Sequence, residues 1–385
     1  MPHFDALIVG AGPAGSWTAH QLARAGARVA VLDGSHPREK PCGGGVTGRA
    51  LELVGRALSP RDLKAVQIAG ADFSYADRSS RVLLDGDASG YPPLVVAARR
   101  EFDHALLLAA IAAGAEHRPF RVTSVERKAT TWTVQTGQGP ASAEWLIGAD
   151  GANSLVRRHV ARSFSRADLS IASGYFVHGQ SSREIVVSFE HEPAGYLWSF
   201  PRPDHLAVGI CAQADRANST RLFVLAKRWV DRHASSGARL EKYSWPIPSL
   251  SERTLACERP AGPGWMLVGD AAGLVDPITR EGIYFALRSA ELAAASLTAG
   301  TNAAARYVER VRMDIFTELA RAARIKARFY QPRFMGLLMT ALQRSVRIQA
   351  VMADLIAGRQ TYDALRWRLL KTVEWRLMLA LFRQR

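Results

Sequence analysis

Cysteine is scarce. The 385-residue chain has three, Cys42, Cys211 and Cys257, and none belongs to a C-x-x-C pair. No disulfide framework and no metal site is implied. Long apolar runs are missing as well: no stretch approaches the ~18 residues needed to span a bilayer. No signal peptide precedes the first apolar run, which itself has the form of a strand. The cytoplasm is therefore the expected compartment. Acidic residues are outnumbered, 35 against 50 basic, which leaves a net charge of +15. Such a surplus favours anionic partners: a phosphorylated dinucleotide, a diphosphate, acidic lipid headgroups or nucleic acid. Lysine tracts and nucleic-acid motifs are absent, so nucleic acid is not expected. With 48% hydrophobic and 22% charged residues, the chain has the balance of an ordinary globular protein of two or three domains.

What is present is concentrated between Asp5 and Asp33. Ala6–Val9 is a short apolar run of the kind buried on both faces of a parallel sheet. Gly10, Gly12 and Gly15 follow in the order G-x-G-x-x-G, then a helical run to about Ala25, a stop at Gly26 and a second strand ending at Asp33. Gly10 permits the tight turn, Gly12 lets backbone approach a pyrophosphate and Gly15 lets helix pack on strand. The helix aims its N-terminal amides at that phosphate. Asp33 places a carboxylate for a ribose hydroxyl. Together these predict a dinucleotide site on an α/β fold.

Downstream, Pro41-Cys-Gly-Gly-Gly45 predicts a loop whose backbone lies close to something flat or bulky. Arg49–Leu58 reads as a helix and 66–96 as a β excursion. A strand to Ala98 and a helix from Arg100 to Ala113 put Arg99 at a junction facing a phosphate or ribose. Asp150 and Asp270 each end an apolar strand, and Gly282 opens a helix that runs to about Ala299. Between 170 and 248 the pattern alternates as in an antiparallel sheet, and Tyr196, Trp198 and Phe200 share one strand face. From 303 the chain reads as helices broken at Gln331-Pro332 and Gly358. Leu365, Leu369, Val373, Leu377 and Leu381 should face the body; Trp367, Trp375, Met378 and Phe382 fall on another side.

With these residues in place the chain resembles the FAD-dependent group of aromatic hydroxylases, flavin halogenases and geranylgeranyl reductases, over about residues 4 to 300. The matching segments are Gly10-x-Gly12-x-x-Gly15, Gly148-Ala-Asp150-Gly151 and Gly269-Asp270-Ala-Ala-Gly273, with Arg99 in Arg-x-x-Phe-Asp. Lys40-Pro-Cys-Gly-Gly and Tyr196-x-Trp198-x-Phe200-Pro201 are similar to motifs of the geranylgeranyl reductase branch. Where that branch has Gly-Glu-Gly-Ile, this chain has Arg280-Glu-Gly282-Ile283. The resemblance implies FAD as cofactor, with Gly10, Gly12, Gly15, Asp33, Gly44, Arg99, Asp150, Asp270, Gly282 and Ile283 around it. It also implies a catalytic site of Cys42, in a loop beside the flavin where it shapes or gates the reacting face, and of Tyr196 and Trp198 on the substrate-cavity strand.

The implied architecture is a Rossmann-type FAD-binding domain from 1–66, 97–160 and 250–300. A β-sheet substrate domain from 67–96 and 161–249 and a helical C-terminal region from 301–385 complete it. The implied activity is reduction of prenyl carbon–carbon double bonds; the alternative is a monooxygenase acting on an aromatic or peptide-borne substrate. No second nucleotide fingerprint is present, so NAD(P)H or a ferredoxin supplies electrons. The basic and aromatic C-terminal helix is expected either to touch a membrane peripherally or to be covered in a dimer.

Overall fold

Burial explains the first strand. In the computed structural model, which describes residues 1–385 apart from 60, 62, 87–89, 373, 377–378 and 380–385, Leu7 and Ile8 have no exposed surface. Each such side chain contributes roughly 1.5–3 kcal/mol by leaving water. Strand His3–Val9 lies at the centre of a mainly parallel sheet, between Gly139–Gly148 and Val29–Leu32. Trp265–Leu267 and Glu116–Arg118 extend it in parallel on either side. A hairpin, Val122–Lys128 with Thr131–Thr136, joins it through the first half of Gly139–Gly148. The predicted helix is Pro13–Arg24, with Pro13 in its first turn. A Cβ at Gly15 would lie 1.9 Å from the Gly10 carbonyl oxygen, so only glycine permits this approach of helix to turn.

A second sheet runs in the order Leu240–Pro248, Leu169–His178, His205–Gln213, Ala194–Pro201, Glu184–His191, Gly70–Tyr75, Arg78–Leu83. All its pairings are antiparallel except that of Glu184–His191 with Gly70–Tyr75. The β excursion divides between two sheets. Its middle strands join this second sheet, while Ala65–Gln67 and Leu94–Ala97 form a small sheet with Gly45–Thr47.

The C-terminal region packs its helices on the second sheet, and Phe73, Ile185 and Phe189 share a core with Phe334, Leu338 and Val351. Helices Thr317–Phe329 and Pro332–Arg344 meet at the expected proline, and Gly358 (φ +74°) ends the segment after Val346–Ile356. A further break, at Ser345, was not expected; its hydroxyl caps the next helix by accepting from the Ile348 amide. Leu365 and Leu369 face the body. Val373, Leu377, Met378, Leu381 and Phe382 lie outside the described residues. The helix expected over Arg49–Leu58 is shorter, Gly48–Val54.

Arg157, buried, fastens two of the motif segments together. Its guanidinium donates to both Glu258 oxygens at 2.8 Å and to the Ala271 carbonyl at 3.2 Å. Removing one partner of a buried pair leaves the other charge uncompensated, which costs about 3–5 kcal/mol. Arg157→Met should lower the urea midpoint accordingly; an unchanged midpoint would show that the pair is not needed for the fold.

Candidate active site

A cavity of about 930 Å³ runs from the glycine turn, past the second sheet, to the C-terminal helices. Of the residues expected at the site, Gly10, Gly12, Asp33, Cys42, Gly44, Arg99, Asp150, Tyr196, Trp198, Asp270, Gly282 and Ile283 all line it. Gly15 does not; it serves the packing of helix on strand.

The glycine end fits a dinucleotide. A Cβ at Gly12 would meet nothing within 4 Å, so the space above the turn is open. Helix Pro13–Arg24 begins there without a side-chain cap and without an acid in its first turn, which leaves its amides and positive dipole end for an anion. Asp33 closes the turn: one oxygen accepts from the Ala11 amide at 2.9 Å and the other from the Ser35 amide and hydroxyl. Burial opposes its charge, but these donors prevail and hold the carboxyl below its ordinary range.

Three charged residues have partners that sequence reading did not give them. Asp150 lines the cavity, yet its oxygens accept from the Ser154 hydroxyl and from the amides of Leu155 (2.6 Å) and Val156 (3.2 Å). It caps the helix Leu155–Val160, and burial raises its pKa. Arg99 lines the cavity as one half of an ion pair. It is buried, and its guanidinium grips Asp103 through two bonds of 2.8 and 2.7 Å. Burial works against that charge, and the Asp103 carboxylate more than restores it. Asp270 accepts from Lys40 Nζ at 2.7 Å, an ion pair that joins the cysteine loop to the Gly-Asp-Ala-Ala segment.

The cysteine loop is held from beneath by Arg202, which has no exposed surface. Its guanidinium donates to Glu39 at 2.6 Å and to the Cys42 carbonyl at 2.8 Å, and it stands over the Phe176 ring. Glu39 also accepts from the amides of Arg99 and Arg100, capping the helix Arg99–Ala112. Cys42 Sγ accepts from the Gly44 amide at 3.3 Å. The flat object beside the glycines is Phe200: a Cβ at Gly43 would lie 2.8 Å from its ring.

The segment 276–282 forms another wall. Tyr196 donates its hydroxyl to the Thr279 carbonyl at 2.6 Å, and Tyr330 donates to the Ile278 carbonyl at 3.0 Å. Glu281 accepts from Thr47 and Arg49. Arg280, in the position where the resembling branch has glycine, takes the left-handed conformation at φ +61°. Such a conformation costs of order 1–3 kcal/mol outside glycine.

Parallel strands, an open glycine turn at a helix start and a cavity continuing onto a second sheet define a Rossmann-type flavoprotein oxidoreductase. Residues 3–309 match the family described as FAD binding domain, and the chain belongs to it, within the geranylgeranyl reductase branch. The chain is 30% identical over 308 residues to digeranylgeranylglycerophospholipid reductase 2 of Methanopyrus kandleri, covering 74% of each protein. It is 26% identical over 383 residues to the menaquinone reductase of Mycolicibacterium smegmatis, covering 94% of this chain and 93% of that one. The fold is shared with a geranylgeranyl bacteriochlorophyll reductase-like protein of Thermoplasma acidophilum, with TM-score 0.78, 21% identity and coverage of 97% and 100%. A flavin-dependent brominase has TM-score 0.72, 19% identity and coverage of 97% and 100%. The cofactor of this enzyme is FAD.

A valine at Gly12 would fill the space above the turn. Gly12→Val should therefore purify with little FAD, read as the ratio of 450 nm to 280 nm absorbance. A normal ratio would show that the pyrophosphate lies elsewhere.

Proposed function

We propose that this enzyme reduces carbon–carbon double bonds of a prenyl chain. The observation that carries this is the apolar end of the cavity. There Ile325, Phe334, Leu338, Val351, Leu355 and Leu369 line a space between the second sheet and the C-terminal helices. An unbranched polar substrate would leave such walls unused, whereas a long hydrocarbon buries against them and excludes water. The reductase names of the relatives agree with this substrate class.

In this reading Gly10, Gly12, Asp33 and the start of the helix Pro13–Arg24 hold the FAD phosphates and ribose. Gly44, Arg99, Asp150, Asp270, Gly282 and Ile283 surround the rest of it. When bound and reduced, FAD supplies a hydride to one alkene carbon. The chain's residues orient the other partner. Trp198 and Tyr196 form the wall against which the alkene lies, and the Tyr196–Thr279 hydrogen bond fixes that wall to segment 276–282. Cys42 borders the reacting face, where its Sγ–Gly44 contact sets the side-chain direction. A proton to the second carbon completes the addition. The chain divides accordingly into FAD-binding (1–66, 97–160, 250–300), substrate (67–96, 161–249) and helical (301–385) parts.

The electron donor, NAD(P)H or a ferredoxin, is bypassed in the test. Dithionite-reduced enzyme mixed anaerobically with a geranylgeranyl lipid should regain its 450 nm absorbance and yield a product two mass units heavier. Tyr196→Ala and Trp198→Ala should slow this step about tenfold or more while keeping FAD content. Turnover that requires oxygen and adds an oxygen atom would favour the monooxygenase instead. Equal loss of FAD and turnover would make the aromatics structural.

A lipid substrate must be drawn from a membrane. Among the described residues no helix is long and apolar enough to cross one. Peripheral contact is supported by Trp367 and Trp375, 63% and 53% exposed, each with an arginine over its ring. Leu370 and Lys371 are exposed beside them. Each basic residue near an anionic surface contributes roughly 1 kcal/mol. The protein should bind acidic liposomes, less so at high salt or without residues after Gly358. Failure to bind at low salt would point to a dimer interface.

A further inference from the structure

We propose that His205, oriented by Asp204, is a positioning residue of the active site: its neutral ring holds the Arg202 guanidinium, and through it the cysteine loop and the start of the helix Arg99–Ala112. The consequence for turnover rests on the reading of that loop as a border of the reacting face; the tie itself does not.

The turn between the strands Ala194–Pro201 and His205–Gln213 brings these groups together. It reads Arg202-Pro203-Asp204-His205, with proline and aspartate as turn formers, and the Arg202 amide closes it on the His205 carbonyl at 2.8 Å. Within it His205 Nε2 lies 3.2 Å from Arg202 Nη1, and His205 Nδ1 lies 2.7 Å from an Asp204 oxygen. A guanidinium can only donate and a carboxylate can only accept. The ring therefore carries its proton on Nδ1 and accepts from Arg202 at Nε2. His205 is 4% exposed and Arg202 has no exposed surface, so neither exchanges the other for bulk water. The same guanidinium donates to Glu39 and to the Cys42 carbonyl, and Glu39 accepts from the amides of Arg99 and Arg100.

Protonation undoes the arrangement. A proton on Nε2 turns an acceptor into a donor that faces a donor, and sets two cations side by side. The ring is faced by Arg202 and Asp204 from the turn and by Glu39 from the cysteine loop. From the strand Leu169–His178 the rings of Phe176 and His178 each stand 5.3 Å away, and His178 is in turn 3.6 Å from Glu241 of the strand Leu240–Pro248. Burial first, and then the Arg202 charge, hold His205 below the ordinary histidine range, against the pull of Asp204 and Glu39. With the folded value depressed, the tie is complete above the ordinary histidine range and is lost as the pH falls through the lowered one.

Amide exchange resolved by residue on the FAD-loaded enzyme, corrected for the intrinsic rate, tests this between about pH 8 and about pH 5. In the wild type, protection at Arg99 and Arg100 should fall about tenfold or more over that range. In His205→Gln, whose amide oxygen accepts from Arg202 but does not titrate, it should stay level. Asp204→Asn keeps an acceptor for Nδ1 and removes a charge that favours the imidazolium, so its midpoint should move to lower pH. A wild type that is flat across the range, a His205→Gln variant that falls with it, or an Asp204→Asn midpoint that does not move overturns the assignment. Reduction of a geranylgeranyl lipid by the dithionite-reduced enzyme should follow the same profiles. Turnover that stays level in acid while protection falls overturns His205 as a positioning residue. Protection that behaves as stated, with no lipid reduced at either pH, upholds the tie and counts against the prenyl reading alone.

Discussion

The ion pair of buried Arg202 with half-buried Glu39 ties together the elements around the cysteine loop. Arg202 follows directly on the aromatic strand Ala194–Pro201, and Glu39 stands at the entrance to the cysteine loop. One guanidinium therefore connects the second sheet to the loop, through Glu39 and through the Cys42 carbonyl. Glu39 passes the connection on to the first amides of the helix Arg99–Ala112. A guanidinium without water is stable only while these acceptors stay in place. The loop, the sheet and the helix start must consequently move together or not at all.

Two further ties complete the frame. Arg157, paired with Glu258, ties the helix after Asp150 to the Gly-Asp-Ala-Ala segment through the Ala271 carbonyl. Tyr196 and Tyr330 hold segment 276–282 by its carbonyls, from the second sheet and from the C-terminal helices respectively. The C-terminal region thus does two things: it supplies apolar side chains to the cavity and holds segment 276–282 through Tyr330. Function follows from that arrangement. On the proposed reading the glycine turn takes the FAD, the apolar side chains of the C-terminal helices take the hydrocarbon, and Tyr196 and Trp198 form the wall between them; all of these residues line one cavity.

The parts legible in the sequence were those encoded within a few residues. Strand, glycine turn and helix from Ala6 to Asp33 follow from local periodicity and from glycine geometry. The shared face of Tyr196, Trp198 and Phe200 follows from the period of a strand. Charged positions were legible but their partners were not. Asp150 accepts from the amides of its own following helix, and Arg99 pairs with Asp103 one turn along, a spacing present in the sequence but not read there as a pair. The bulky neighbour of the glycine run is Phe200, more than 150 residues away, and Glu39 meets Arg202 across a separation of 163. Pairings at that range depend on the packed fold, which no local pattern reports.

Amide hydrogen exchange resolved by residue, on the FAD-loaded wild type and on Arg202→Met, tests the central tie most directly. The amides of Gly44, Arg99 and Arg100 should lose protection together in the variant, while those of the strand His3–Val9 keep theirs. Unchanged protection at Gly44 and Arg99 would contradict the account, because the loop and the helix start would then be held by something other than the Arg202–Glu39 pair.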